Sequence, residues 1–114
     1  MGPLNSAAHF DRVKELVDRT PAHAKIQAGG NPISRPGYFF APTIISDLRQ
    51  DDELIQEEIF GPVITVQKFS TEEQALTMAN DCRFALSASV WTKDHGIAMR
   101  MTKGFDFGVC WINT

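Results

Sequence analysis

The chain has 114 residues, 43% of them hydrophobic, and a net charge of −3, which fits one compact domain with a single core. Acids and bases are scattered along it, with no block of Lys or Arg to neutralise a phosphate backbone or an anionic lipid surface, so nucleic acid and membrane are excluded as partners. No apolar run reaches membrane-spanning length, and the opening MGPLNSAAHF lacks the basic start and apolar centre of a secretion signal.

From Asn5 to Thr20 the apolar residues Phe10, Val13, Leu16 and Val17 recur at helical spacing, Asn5 or Ser6 can cap the start, and Pro21 follows the end. KIQAGG predicts a strand entering a glycine turn, and NPISRPG predicts a loop. YFFAPTII predicts a strand that Pro42 confines to an edge or a bend. Asp51 or Asp52 can cap a short helix carrying Leu54, Ile55 and Ile59, ended by Gly61 in a left-handed cap and by Pro62.

VITVQKF predicts the next strand. Ser70 with Glu73 has the spacing of a capping box, so TEEQALTMANDC predicts a helix burying Ala75, Leu76 and Ala79. LSASVW is a strand; Asp94 caps a helix bearing Ile97, Ala98 and Met101 that Gly104 closes, and the unbroken run FGVCWI suits a strand covered on both faces. Strands alternating with helices imply an α/β layer structure with at least partly parallel pairing. The chain stops at CWINT with nothing to cover that last strand, so an interrupted domain is expected.

QEEIFGPV, residues 56–63, admits two readings. In one, Glu57 and Glu58 are solvated helix residues, Phe60 fills the core, and Gly61 and Pro62 stop the helix. In the other, the helix end presents Glu58 and Phe60 to a ligand: a carboxylate can accept from two adjacent sugar hydroxyls, and a phenyl ring can pack on a flat heterocycle, so the pair suits a nucleoside. A glutamate near a helix C-terminus is also opposed by the helix dipole, which asks for some other reason to be there.

Cys82 and Cys110 have no paired spacing of a zinc or redox motif, and two cysteines make no disulfide scaffold; free thiols in a reducing cytosol fit, so the expected compartment is cytoplasmic. Cys110 lies in an apolar strand and Cys82 at a helix C-terminal end, and both settings suppress the thiolate. His9, His23 and His95 match no short metal motif and are expected at the solvated surface, so no metal site is expected. AGG is not a dinucleotide fingerprint, and no phosphate-binding loop occurs.

Taken in order, GPLNS, GGNPISRPGYFFAPTII, QEEIFGPV, ALTMANDCRFALSASVWTKD and GVCWINT resemble the C-terminal part of the catalytic domain of the NAD(P)-dependent aldehyde dehydrogenase superfamily over the whole length. The most specific piece is E-E-I-F-G-P-V, supported by Gly37-Tyr38, Pro42-Thr43, Ala79-Asn80-Asp81 and Trp111-Ile112-Asn113; CWINT looks most like the aminoaldehyde branch, enzymes for betaine aldehyde or 4-aminobutyraldehyde. The resemblance implies a three-layer α/β/α fold with a mostly parallel sheet, of which residues 1–114 are a partial catalytic domain. It implies that Glu58 holds the ribose on the nicotinamide side of NAD or NADP and that Phe60 packs beside the nicotinamide.

The family attacks its aldehyde with a cysteine in a G-Q-x-C context and activates water with a glutamate in an E-L-G-G-K stretch. Neither motif occurs here, so no catalytic residue is assigned, and the chain alone is expected to be inactive and to hold little cofactor. One departure is RFALSA, where the family has tyrosine-glycine-leucine, and Ala85 would be strained if that turn needs a positive φ. For the parent enzyme the implied partners are a small aldehyde and further copies in a homo-oligomer. The alternative is a stand-alone interaction or regulatory module that keeps the fold and self-associates through exposed strand edges.

Overall fold

In the computed structural model, which describes residues 1–114, the Ser6 hydroxyl accepts from the His9 amide at 3.2 Å and starts helix α1, Ala7–Asp18. Its inward side, Val13, Leu16 and Val17, is buried at every position. Strands β1 (Lys25–Ala28), β2 (Thr43–Ser46) and β3 (Val63–Val66) form a sheet in the order β1-β2-β3, the first pair antiparallel and the second parallel. The strand expected over YFFAPTII begins only at Thr43, and it is central, not an edge. Pro42 stands just before the ladder, where its missing N–H costs nothing, and the preceding segment makes only an isolated bridge between Phe40 and Pro32.

Ile45 on the inner face of β2 is fully buried, and Phe40, Leu48, Leu54, Ile59 and Val63 join it and α1 in one core. The opposite face stays open: the parallel register places Ile44 beside Ile64 and Ser46 beside Val66, and Ile44, Ile64 and Val66 are exposed. Helix α2, Glu53–Gln56, is tied to the end of α1 by Arg19, whose Nε and Nη2 donate to both Glu53 carboxylate oxygens at 2.9 and 2.8 Å.

The remaining elements are α3 (Glu72–Asn80), β4 (Ser87–Val90), α4 (His95–Gly104) and β5 (Val109–Ile112). Strands β4 and β5 are parallel with α4 as their crossover. The helix α3 cap falls on Thr71, one residue after the expected Ser70: the Thr71 hydroxyl accepts from the Gln74 amide, and the Gln74 side chain accepts from the Ser70 amide. Ala75, Leu76 and Ala79 are half-buried, not buried. The Asp94 carboxylate caps α4 by accepting from Ile97 N at 2.9 Å, as the sequence predicts. A Cβ on Gly104 would stand 2.5 Å from Leu76 Cδ2, so glycine here permits close approach of α3 to α4.

Helices and strands mix and two of the three strand pairings are parallel, as the α/β reading requires. The expectation of a single core is corrected: the chain divides into two compact units, Met1–Gln67 and Lys68–Thr114, and the second fully buries only Ala98 and Met101 among its apolar side chains. Strand β5, expected to be covered on both faces, leaves Val109, Trp111 and Ile112 exposed. No helix is long and apolar enough to cross a membrane.

Candidate functional site

The helix expected to continue to Gly61 ends at Gln56, because Glu57 is already extended at φ −109°, ψ 141°. Glu58 therefore does not sit on a helix terminus, and the argument that a dipole opposes it lapses. The chain alternates instead: Glu58 is exposed, Ile59 enters the core, and Phe60 is 73% exposed. Phe60, expected by one reading to plug the core, stands in solvent.

The left-handed residue of this turn is Phe60 at φ 55°, not Gly61. A side chain in that region costs about 1–2 kcal/mol. Gly61 is required for a different reason: a Cβ there would lie 2.7 Å from Cγ2 of the buried Val13, so only glycine lets the turn lie against α1.

Three consecutive carbonyls of the turn are held by α1. Arg12 donates from Nη2 to the Glu58 oxygen and from Nη1 to the Ile59 oxygen, both at 2.7 Å, and His9 donates from Nε2 to the Phe60 oxygen at 2.5 Å. A carbonyl only accepts, so Nε2 of His9 must carry a proton for this bond. The second ring nitrogen faces the Asn5 side chain at 3.1 Å. His9 and Phe60 also touch as rings, with centroids 6.2 Å apart at 50°. These bonds turn the carbonyls toward the helix and leave both side chains outside.

The Glu58 carboxylate makes no hydrogen bond within the chain. Phe60 lines an open concavity of about 470 Å³ with Asn5, Ser6, Ala8, His9 and Arg12. The Glu58 carboxylate, exposed, can only accept hydrogen bonds, and the Phe60 ring faces solvent. Nearby acids are accounted for by ion pairs: the Arg19 hydrogen bonds hold Glu53 below the usual carboxylate range with a smaller contribution from Arg12, and the hydrogen bond from His23 Nε2, at 2.8 Å, lowers Asp52.

The other motif residues brace the backbone. Thr43, buried, accepts from Gly30 N at 2.9 Å and donates to Ala41 O at 2.8 Å. Asn80 donates to Gly104 O at 2.8 Å and accepts from Asp106 N at 3.0 Å, which fixes the end of α4. Asn113, at φ 54°, pairs its side-chain amide with both backbone groups of Thr92, at 2.9 and 3.0 Å. Ala85 is not among the positive-φ residues, so the strain expected from replacing glycine there does not arise.

Neither Cys82 nor Cys110 is in a disulfide, and both are half-buried. His23 and His95 are exposed, as expected of solvated surface groups, with His23 also bound to Asp52, whereas His9 is half-buried against the Phe60 carbonyl; no group of three or more His, Cys, Asp or Glu side chains is placed to hold a metal ion. His9 and Arg12 are the site residues that sequence reasoning missed. Their signal was an i, i+3 pair of donors on α1, readable only once the helix and the turn are known to meet.

The family model described as the aldehyde dehydrogenase family matches residues 1–114. Lactaldehyde dehydrogenase of Escherichia coli is 40% identical over 99% of this chain and 24% of its own length, and betaine aldehyde dehydrogenase of Bacillus subtilis is 39% identical over 98% of this chain and 24% of its own. A crystal structure of betaine aldehyde dehydrogenase from Staphylococcus aureus in complex with NAD+ superposes with a TM-score of 0.94 at 38% identity, covering 99% of this chain and 24% of that one. The chain thus spans about a quarter of the relatives it matches. With a family model matched from end to end, the chain belongs to the aldehyde dehydrogenase family.

Proposed function

We propose that residues 1–114 form the nicotinamide-side clasp of an NAD(P)-dependent aldehyde dehydrogenase, with Glu58 and Phe60 as its contact residues. The observation that carries the reading is the turn itself: its carbonyls are held by α1, while the carboxylate and the ring are left free and solvent-facing. The Glu58 oxygens would accept from the two ribose hydroxyls, and the Phe60 ring would lie against the nicotinamide and keep water from it. When bound, the dinucleotide supplies the acceptor for the hydride released from the aldehyde. The parent enzyme would convert an aldehyde, of the aminoaldehyde class such as betaine aldehyde, to its acid. The nucleophile and the phosphate-holding domain would come from parts of the family fold that these residues do not cover.

The test is a chimera in which residues 1–114 replace the matched quarter of the staphylococcal betaine aldehyde dehydrogenase. Glu58→Gln and Phe60→Ala are each expected to raise the KM for NAD about tenfold, the size of one good charge-assisted contact, with little change in the KM for aldehyde. Unchanged cofactor KM in both variants would remove the assignment. The purified 114-residue chain by itself is expected to show no aldehyde oxidation with NAD or NADP.

The open face of β2 and β3, with Ile44, Ile64 and Val66, favours a second reading in which this surface mediates self-association. A defined dimer of the chain by size-exclusion mass measurement would support it, and a monomer at every concentration would exclude it.

A further inference from the structure

The clasp turn is not built to hold its own shape. Its key residue, Phe60, adopts a left-handed conformation that a phenylalanine disfavours, and it stands 73% exposed, so burial of its ring does not pin it. The short helix before it ends four residues earlier, so no helical ladder reaches Phe60. The constraint comes from α1, where Arg12 spans two successive carbonyls with separate guanidinium nitrogens and His9 takes the third. The planar fork of arginine suits this two-carbonyl span in a way that the point-like ammonium of lysine does not.

We infer that Arg12 and His9 are positioning residues that set cofactor affinity by locking the 58–60 backbone in the conformation that presents Glu58 and Phe60, an inference that rests on the clasp reading above. Both act through the main chain: removing either donor frees a carbonyl to turn outward, lets Phe60 relax to a negative φ, and rotates the ring and the carboxylate away from a common ligand. The loss then falls on cofactor binding. His9 also contributes a ring contact, so the donor and the ring must be tested separately.

The experiment has two readouts. In the isotopically labelled 114-residue chain, a strong intraresidue amide–Hα Overhauser contact at Phe60 reports its positive φ. Arg12→Gln and His9→Phe, the latter keeping a ring without the donor, are expected to weaken it, and His9→Gln, which restores a donor, is expected to recover it. In the chimeric holoenzyme, Arg12→Gln and His9→Phe are expected to raise the KM for NAD about tenfold with the KM for aldehyde unchanged, Arg12→Lys to recover only part of this, and His9→Gln most of it.

If Glu58→Gln and Phe60→Ala raise the KM for NAD but Arg12→Gln and His9→Phe leave both it and the Phe60 signal at wild-type values, the positioning role is overturned and the clasp reading stands. If the donor variants shift the Phe60 signal while Glu58→Gln and Phe60→Ala leave cofactor affinity unchanged, the clasp reading fails and the functional role of the lock fails with it. Equal loss of affinity for NAD and for aldehyde on Arg12→Lys would also overturn the inference, because it would mark a general structural defect.

Discussion

The two units of this chain are held together by different means. In Met1–Gln67 a closed apolar core, with Val13 and Ile45 at 0% exposure, supports a turn whose Glu58 and Phe60 side chains face solvent. In Lys68–Thr114 few side chains are fully buried, and asparagine amides do the fixing: Asn80, the last residue of α3, and Asn113, just after β5, each bind backbone groups through both their oxygen and their nitrogen. A core rigidifies a surface from beneath and spares its polar groups for other work. A side-chain amide rigidifies only by consuming its own hydrogen bonds, so the same residue cannot also grip a ligand.

The largest expected effect breaks the first unit. Ile45→Ala removes a fully buried side chain from the central strand and should cost about 2–5 kcal/mol, seen as a sharp fall in hydrogen-exchange protection of the β2 amides. Met101→Ala in the second unit, at a site 8% exposed with fewer buried neighbours to leave a cavity among, should cost less. Equal losses would show that the two regions do not differ in kind.

Next is the seat of the turn. Gly61→Ala drives a methyl to within 2.7 Å of Val13 and should cost about 1–3 kcal/mol by thermal or urea unfolding. Combining it with Val13→Ala, which clears that methyl, should cost less than the sum of the two single changes. Strict additivity would mean that the turn is not seated on α1 through this contact.

In the second unit, Asn113→Gly retains the left-handed backbone but loses both bonds to Thr92, whereas Asn113→Ala loses the bonds and strains the backbone as well. Losses of about 1 and about 2 kcal/mol respectively are expected in urea unfolding. A glycine variant as stable as the wild type would show that the amide braces nothing.

Much of this was legible in the sequence for identifiable reasons. The α1 face, the Asp94 cap and the β4–β5 strands follow from spacing and capping chemistry, which are local. Glu58 and Phe60, the contact residues of the proposed clasp, were named from residue type and resemblance, and the structure leaves both exposed. The errors cluster where a non-local contact decides: Gly61 looked like a left-handed cap, but its absent Cβ serves Val13, 48 positions earlier in the chain, and the left-handed φ falls on Phe60 instead. Ile59 was counted on a helix because its spacing from Leu54 and Ile55 suits one, yet it reaches the same core from an extended segment. His9 and Arg12 were invisible as site residues because nothing in a helix sequence says which carbonyls it will meet.

The smallest effect concerns the ion pairs, which occur in both units and so offer a direct comparison. Arg19 binds Glu53 in the first and Arg100 binds Glu72 in the second, each through two nitrogens on two oxygens. In both, the hydrogen bonds from arginine hold the glutamate below the usual carboxylate range. A carboxylate depressed in the folded state contributes stability that is complete above its unfolded pKa and disappears as the pH falls through the folded value, so both pairs should weaken on acidification below the ordinary glutamate range. Both are exposed and screened, so a modest drop is expected from either. Yet Glu53 anchors α2 to α1 beside the turn, and Arg12 also lowers it. Acid or Glu53→Gln should therefore loosen the Phe60 signal in nuclear magnetic resonance as well as stability, while Glu72→Gln should change stability alone; a Phe60 signal indifferent to Glu53→Gln would confine the support of the turn to the three carbonyl bonds.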